Sequence, residues 1–298
     1  MRLVTFTHNG ADKIGALNAK SKTITDLKAA DPSLPSTMQA LIERGHDGLS
    51  QAQAAIDGAG EKAHLNADDV VLKAPIPEPR RDVMAVGRNY HEHAQEFHDS
   101  GFDATSGATA VPDDPIIFTK ATTSVSGPFD PIPAYLDPTN STDYEGELAV
   151  IIGTGGRGIS RADAFDHVYG YTTSNDVTAR TLQHQHKQWF IGKGLDGYCP
   201  MGPVLLTADE AGHPDTFNLR TEVNGELRQN SSCSALIFDI PTLIETISSG
   251  ITLLPGDIIV TGTPVGVGIG FKPPLFLKKG DIVRVDISPI GAIENLVE

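Results

Sequence analysis

Two glutamates, Glu145 and Glu147, alternate with other residues in DYEGELAVIIG, residues 143–153, and lead directly into an apolar stretch. Strand side chains point to opposite faces with a period of two, so both acids are expected to share a face with Ala149 and Ile151. That face is expected to be partly buried, and a buried carboxylate needs a positive partner. The alternative is a half-exposed edge strand whose acidic face is solvated.

A third carboxylate, Asp176, closes another predicted strand, VYGYTTSND. Crowded carboxylates raise one another's pKa unless a cation is present. Three hard oxygen ligands suit Mg²⁺ or Mn²⁺, can also accommodate Ca²⁺, and leave coordination positions open for substrate and water. No cluster of cysteines and histidines with zinc spacing competes for a metal.

The segment NYHEHAQEF contains His93 and Glu96, which are three residues apart and therefore neighbours on one face of a predicted helix. A carboxylate at that spacing orients the imidazole and stabilises its protonated form, which makes His93 a candidate general base. Lys193 lies between Gly192 and Gly194, which allow close approach of the backbone to a ligand. The alternatives are a surface His–Glu pair and a solvated loop lysine.

A glycine-rich loop follows the predicted strand in GDIIVTGTPVGVGIG, where Thr261 and Thr263 stand among five glycines from Gly256 to Gly270. One interpretation is a loop whose backbone and Thr263 hydroxyl bind a carboxylate. The alternative is a plain glycine-rich turn.

The composition is that of an ordinary globular protein, with 39% hydrophobic and 20% charged residues in 298. A net charge of −15 argues against a nucleic-acid or anionic-membrane partner, because both repel a negative surface. Two cysteines cannot form a disulfide framework. The start, MRLVTFTHNG, lacks the apolar region of a secretory signal, and no apolar run approaches the roughly 20 residues of a membrane span. A cytoplasmic location is expected.

The chain is predicted to divide near residue 78, into a small domain 1–78 and a larger one 79–298. The first begins with a strand and contains one helix or two short ones over residues 36–56, with Ser36 as N-cap. Closely spaced prolines in VLKAPIPEP then exclude a regular element and indicate an extended connector.

Beyond the connector, predicted strands outnumber helices and do not alternate with them regularly. Asn224-Gly225 lies between alternating runs and predicts a hairpin, and FDIPTLIETISSG predicts a helix ended by Gly250. This order favours an α+β fold, a mixed β-sandwich roll with a small α/β N-terminal domain. A doubly wound parallel sheet is disfavoured.

GTGGRG, residues 153–158, matches the G-x-G-x-x-G fingerprint of dinucleotide-binding folds, and Asp176 follows near the position of a ribose-binding acid. The preceding strand carries two acids, however, whereas a central parallel strand is continuously apolar. Ser160 is the predicted N-cap of the next helix, which leaves the glycines in a loop. A glycine-rich turn is the preferred interpretation, and an NAD-dependent oxidoreductase remains a remote alternative.

Residues 97–115 are rich in Gly, Ser, Asp and Ala, and a loop of this length is either disordered or a functional lid. A lid there would close over the predicted helix that precedes it. His184 and His186 either line a pocket or, as the preferred interpretation, are solvated.

Six segments, in this order, resemble the fumarylacetoacetate hydrolase family. They are GRNYHEHAQE, DYEGELAVIIG, GYTTSNDVTAR, QWFIGKGLDGYCPMGP, VNGELRQ and GDIIVTGTPVGVG, and they span the chain from about residue 80 to its end. The resemblance implies a β-roll that holds a divalent metal, and a homodimer.

By this resemblance, Glu145, Glu147 and Asp176 match the metal ligands of the family, and Asp143 is left out of the ligand set. His93 matches the histidine that activates water and Lys193 the active-site lysine, with Glu96 as the partner of the histidine. The positions expected around the substrate are Arg88, Arg180, Gln183 and Thr263.

Two departures weaken the match to the members that cleave fumarylacetoacetate itself. Those members have a fourth acidic ligand where this chain has Val86. The spacing of His93 and Glu96 is instead similar to the acylpyruvate hydrolases and oxaloacetate decarboxylases of the family.

The expected substrate is a small anionic 2-oxo acid. The expected reaction is hydrolysis of a C–C bond in an acylpyruvate, in which a water deprotonated by His93 attacks and pyruvate leaves as an enolate near Lys193. The same site can serve decarboxylation of oxaloacetate, hydration or dehydration of 2-oxo acids, or tautomerisation. A binding protein without catalysis is disfavoured, because the metal, base and lysine positions are all occupied.

Overall fold

A computed structural model describes residues 1–102 and 109–298. The first part of the chain contains the strands β1 Arg2–His8, β2 Ala11–Asn18, β3 Thr23–Asp26, β4 His64–Asn66 and β5 Val71–Leu72. Its helices are α1 Leu27–Ala30, α2 Met38–Ile42 and α3 Gly45–Asp57. The predicted helix over residues 36–56 is thus two helices. The prediction of Ser36 as N-cap is wrong, because the side chain of Thr37 accepts the N–H of Ala40.

The rest of the described chain is richer in strands than in helices. Its strands are β6 Val83–Gly87, β7 Ile116–Lys120, β8 Val125–Ser126, β9 Thr142–Asp143, β10 Gly146–Ile152, β11 Val168–Asn175, β12 Thr178–Ala179, β13 Cys199–Thr207, β14 Asn218–Val223, β15 Glu226–Ser232, β16 Ile258–Val260, β17 Ile282–Ser288 and β18 Gly291–Leu296. Its helices are α4 His91–Asp99, α5 Arg180–His186, α6 Phe190–Lys193, α7 Ala208–Ala211 and α8 Ile240–Ser248.

One large mixed sheet has the order β4-β3-β2-β1-β13-β11-β10-β16-β6-β7, with β5 paired to β1 and β8 to β13. A second sheet, β15-β14-β17-β18, packs against it through a shared apolar core that includes Leu148, Tyr171, Leu219 and Ile287. The pairs β16–β6 and β13–β8 are parallel, and the other strand pairs within these two sheets are antiparallel. The predicted α+β fold with a mixed β-roll is confirmed.

The acidic strand β10 lies in the middle of the large sheet, between β11 and β16. Leu148 and Val150 pack into the core between the two sheets, whereas Ala149 and Ile151 pack on the other side against residues of the first part of the chain. The half-exposed edge strand, the alternative for this segment, is therefore wrong. The acids share the face of Ala149 and Ile151, as the period of two predicts.

The connector after β5 contains no helix or strand before β6, as its prolines predict. The large sheet nevertheless continues across residue 78, because β1 pairs with β13, with Leu3 opposite Leu205. The division into domains 1–78 and 79–298 stays a prediction.

Local signals in the second half are mostly confirmed. Asn224 and Gly225 have φ angles of 55° and 77° between β14 and β15, as a type I′ hairpin turn requires. Helix α8 ends shortly before Gly250. Ser160, by contrast, does not cap a helix, because the next helical turn is a 3₁₀ segment, Ala164–His167, that starts after Asp163.

The predicted lid or disordered loop, residues 97–115, falls partly outside the described residues, since 103–108 are not described. Within the described part of the chain, the structure contains no helix with the length and hydropathy of a membrane span.

Candidate metal centre and catalytic dyad

Three buried carboxyl groups meet at the end of the central strand pair. β10 runs antiparallel to β11 with Glu147 opposite Ser174, and Asp176 follows directly after β11. The backbone N–H of Asp176 donates to the carbonyl of Glu145 at 2.8 Å, which keeps the two residues side by side. One ligand oxygen from each of Glu145, Glu147 and Asp176 lies within 4.8 Å of the others.

Glu147 differs from the other two members of this triad in its partners. Within the described part of the chain it forms no ion pair, and its Oε2 accepts the backbone N–H of Gly262 at 2.6 Å. Burial, Asp176 and Glu145 together raise the pKa of Glu147 well above its usual range. Three converging buried oxygens with an excess of negative charge fit a hard divalent cation.

Lys193 already binds two of the three carboxyl groups. Its Nζ lies 2.6 Å from Oε2 of Glu145 and 2.7 Å from Oδ2 of Asp176. Burial disfavours the charge of this ammonium group, but the two carboxylates prevail and raise its pKa. An ammonium group has three N–H donors, so one remains for an oxygen of a substrate.

Arg180 links the triad to a further buried acid. Its Nε lies 2.9 Å from Oδ2 of Asp143, and its Nη1 lies 2.6 Å from Oε1 of Glu145. Burial raises the pKa of Glu145, but the charges of Lys193 and Arg180 overcome that effect and lower it. Nη2 of Arg180 is buried and has no hydrogen-bond partner in the described chain. Asp143 is occupied by Arg180 and by backbone N–H groups, so it is not free to act as a ligand.

The predicted dyad forms on helix α4. Nδ1 of His93 lies 3.1 Å from Oε2 of Glu96, and the buried imidazole lines the same cleft as Glu145 and Glu147 of the triad. Because an ionised carboxylate only accepts hydrogen bonds, this contact places the imidazole proton on Nδ1. Nε2 of His93 is then the nitrogen available to take up a proton.

The cleft that His93 lines together with Glu145 and Glu147 has about 270 Å³ of empty space, including its open mouth. Arg88, Gln183 and Thr263 line this cleft, and their role in binding a substrate stays a prediction. The hydroxyl of Thr263, however, donates to the carbonyl of Gly146 at 2.9 Å, so binding a substrate carboxylate requires it to give up that bond.

Comparison with known proteins identifies the family. A family model described as fumarylacetoacetate (FAA) hydrolase C-terminal matches residues 82–298. This chain belongs to the fumarylacetoacetate hydrolase family. The membership inferred from the six sequence segments is confirmed.

Relatives within the family match the chain along nearly its whole length. Oxaloacetate tautomerase YisK of Bacillus subtilis (strain 168) is 43% identical over 292 residues, which cover 96% of this chain and 93% of YisK. The structure of fumarylacetoacetate hydrolase from Exiguobacterium antarcticum has 42% identity and a TM-score of 0.85, covering 100% of this chain and 99% of that one. These likenesses include the first part of the chain, which the family model does not reach.

A third relative is described with its ligands. Maleylpyruvate hydrolase from Sphingobium sp. SYK-6, in complex with manganese(II) ion and pyruvate, has 33% identity and a TM-score of 0.78. The match covers 100% of this chain and 98% of the chain of that hydrolase. This chain is thus a family enzyme whose acidic triad fits a divalent metal ion.

Lys120 is a residue of this site that was not predicted from the sequence. Its Nζ is fully buried and lies 2.6 Å from Oδ1 of Asp176 and 3.2 Å from the carbonyl of Val177. The available signal was a lysine at the end of the apolar strand PIIFTK. Gln229, in the segment VNGELRQ, was also missed: its Nε2 donates to Thr263 and its Oε1 accepts the N–H of Gly146.

The charges of the buried side chains around the cleft explain why this site can accept an anion. The buried carboxyl groups around the cleft are Asp143, Glu145, Glu147 and Asp176, and the buried cations are Arg88, Lys120, Lys193 and Arg180. The four acids and the four cations balance, so a divalent metal would leave an excess of two positive charges. A negatively charged substrate is then attracted into the cleft.

Two other sequence motifs lie outside the site. Residues 153–158 form a turn in which Gly156 pairs with Leu253 and the N–H of Gly158 donates to Ser248. Because β10 is antiparallel to β11 and β16, the turn does not belong to a parallel βαβ unit. His184 and His186 are exposed on α5 and do not line the cleft, as the preferred interpretation expects.

Proposed function

We propose that this chain is a divalent-metal-dependent oxaloacetate tautomerase, which interconverts the enol and keto forms of this small 2-oxo acid. The observation that carries the proposal is a His–Glu dyad whose imidazole lines one cleft together with Glu145 and Glu147 of a buried carboxylate triad. The resemblance to YisK over nearly the full length supports tautomerisation above the C–C hydrolysis first expected from the sequence. A homodimer and a cytoplasmic location stay predictions.

Glu145, Glu147 and Asp176 would hold Mg²⁺ or Mn²⁺, and the manganese ion described with a relative favours testing Mn²⁺ first. When bound, the cation would supply Lewis-acid stabilisation of the negative charge on the enolate. Lys193 directs its remaining N–H towards the same charge, and the unpartnered Nη2 of Arg180 offers a donor for a carboxylate. These donors fix the substrate with its carbon chain towards His93.

His93 carries the proton in this proposal. In the direction from enol to keto, the neutral imidazole accepts the hydroxyl proton of the enol at Nε2. It then delivers a proton to carbon 3, so the proton count of enzyme and substrate is unchanged. Glu96 stabilises the imidazolium between these two steps and keeps the ring oriented. No water molecule needs to attack, which distinguishes this reaction from hydrolysis.

The test follows the enol absorbance of freshly dissolved oxaloacetate in the presence of Mn²⁺, with malate dehydrogenase and NADH to report the keto form. We expect accelerated conversion that chelation of the metal abolishes and that His93→Gln lowers about 10²- to 10⁴-fold. Conversion at the rate of the buffer alone would overturn the proposal. Release of pyruvate from oxaloacetate, read with lactate dehydrogenase, would instead indicate the decarboxylase.

Hydrolysis of an acylpyruvate remains the second candidate, because maleylpyruvate hydrolase shares the fold at 33% identity and the same dyad can deprotonate a water. A panel of acylpyruvates with Mn²⁺, followed through the diketone absorbance, separates the two functions. Loss of the diketone together with unaccelerated tautomerisation of oxaloacetate would establish the hydrolase.

A further inference from the structure

One glycine-rich loop, residues 262–270, donates backbone N–H groups to site carboxyl groups from different parts of the chain. The N–H of Gly262 lies 2.6 Å from Oε2 of Glu147, in the metal triad. The N–H of Gly266 lies 3.1 Å from Oε1 of Glu96, in the dyad. The N–H of Gly268 lies 2.7 Å from Oδ1 of Asp143, the partner of Arg180.

The same loop also leaves a space that the carboxylate of Glu96 fills. A Cβ atom at Gly270 would lie 1.9 Å from Oε1 and 2.5 Å from Cδ of Glu96. These atoms belong to the far end of a side chain that can rotate away. Gly270 does not have a positive φ angle, so the backbone at this position accepts alanine. Position 270 therefore needs a glycine because Glu96 fills the space of a side chain, and not because of the backbone conformation.

We propose that Gly266 and Gly270 are positioning residues for the dyad, which hold the Glu96 carboxylate against Nδ1 of His93. The inference rests on the proposed role of His93 as the base. Glu96 is held on three sides, by the His93 ring, by the N–H of Gly266 and by the surface of Gly270. If the carboxylate leaves this place, the imidazole loses the acceptor that fixes its proton on Nδ1 and its ring orientation.

The loop is itself anchored, so that it can act as a fixed support. The hydroxyl of Tyr144 donates to the carbonyl of Gly266 at 2.8 Å. Gly266 has a φ angle of +109°, and a Cβ atom there would lie 2.0 Å from the backbone oxygen of Arg228. Any substitution of Gly266 therefore strains the backbone and tests folding as much as positioning. Gly270 is the better position for an experiment.

The test is the Gly270→Ala variant, with Gly250→Ala as the matched control. No atom lies within 4 Å of a Cβ at Gly250, and this residue does not have a positive φ angle either. We expect Gly270→Ala to lower kcat about 10- to 100-fold, since a displacement of about 1 Å in a catalytic group can cost that much. KM and the Kd for Mn²⁺ should stay at the wild-type values, and Tm should remain within about 2 °C of the control.

A double-mutant cycle shows whether the effect acts through Glu96. In the Glu96→Ala background, Gly270→Ala should cause no further loss of kcat, because the displaced group is already absent. An equal loss of kcat in both backgrounds would overturn the proposal. So would wild-type kcat in the single variant.

A crystal structure of Gly270→Ala provides a readout that does not depend on activity. We expect the Glu96 carboxylate to have moved beyond hydrogen-bond distance of Nδ1 of His93, with the metal triad unchanged. An intact contact between His93 and Glu96 would overturn the proposal. If the wild-type enzyme shows no tautomerase activity, the proposed function fails, and this structure still decides the positioning role.

Discussion

Lys120 and Asp176 form an ion pair in which neither side chain is exposed to solvent, with 2.6 Å between Nζ and Oδ1. Lys193 binds the other oxygen of the same carboxylate. Asp176, a proposed metal ligand, is thus held in place by two ammonium groups from different elements. The cost of burying its charge is offset before any metal binds.

Replacement of Lys120 by methionine should destabilise the protein. The variant keeps most of the side-chain volume but leaves Asp176 with one cation fewer, and breaking a buried pair in this way costs about 3–5 kcal/mol in the free energy of unfolding. Urea unfolding of the metal-free protein measures the loss. Lys279→Met removes an exposed lysine and should change the free energy of unfolding by less than about 0.5 kcal/mol. Equal stability of the two variants would contradict this role of Lys120.

Replacement of Glu147 by alanine should abolish metal binding and activity together. Glu147 is the triad member without an ion pair in the described chain, so its charge is available to a bound cation. Isothermal titration with Mn²⁺ and the oxaloacetate assay provide the two readouts. Glu61→Ala removes an exposed carboxylate outside the triad and should leave metal binding and activity unchanged. Full activity of Glu147→Ala in metal-chelated buffer would disprove the metal assignment.

The stabilisation by metal should increase with pH. The pKa of Glu147 is raised in the metal-free fold, because burial, Asp176 and Glu145 disfavour its charge. Its folded pKa lies above the unfolded value of about 4.3, so its contribution to stability is present below that value and is lost as pH rises through the folded pKa. A bound cation needs Glu147 to be ionised. Metal binding therefore offsets the stability that the metal-free protein loses as the pH rises.

Calorimetry at several pH values tests whether the stabilisation by metal increases with pH. The difference in Tm between protein with Mn²⁺ and protein with a chelator should be larger at about pH 8 than at about pH 5.5. Glu147→Gln, which cannot ionise at this position, should reduce the difference at the higher pH. A difference that is constant with pH in the wild-type protein would show that no proton competes with the metal.

NADH should not bind to this protein. The glycines of residues 153–158 lie in a turn that pairs with Leu253, beside a strand whose neighbours are antiparallel. The pyrophosphate site of a dinucleotide-binding fold needs a parallel strand and a helix N-terminus directly after the glycines. Titration of the protein into NADH should leave the nucleotide fluorescence unchanged. A saturable change would reopen the oxidoreductase alternative.

The sequence by itself determined the relationships that arise within one element. A strand period of two placed Glu145 and Glu147 on one face, and a helical spacing of three placed His93 beside Glu96. The Asn224-Gly225 turn followed in the same way, because backbone geometry fixes neighbours over a few residues. The order of six motifs then identified the family and with it the β-roll.

Only the tertiary structure decided which residues, distant along the chain, form ion pairs and hydrogen bonds with one another. Lys120 and Asp176 are 56 positions apart, and the N–H of Gly266 reaches Glu96 across 170 positions. The central position of β10 also depends on pairing with β11 and β16, so its acids looked compatible with an edge strand until the sheet was known. Spacing along the chain carries no information about such contacts, because they are set by sheet order and by which loop covers the cleft.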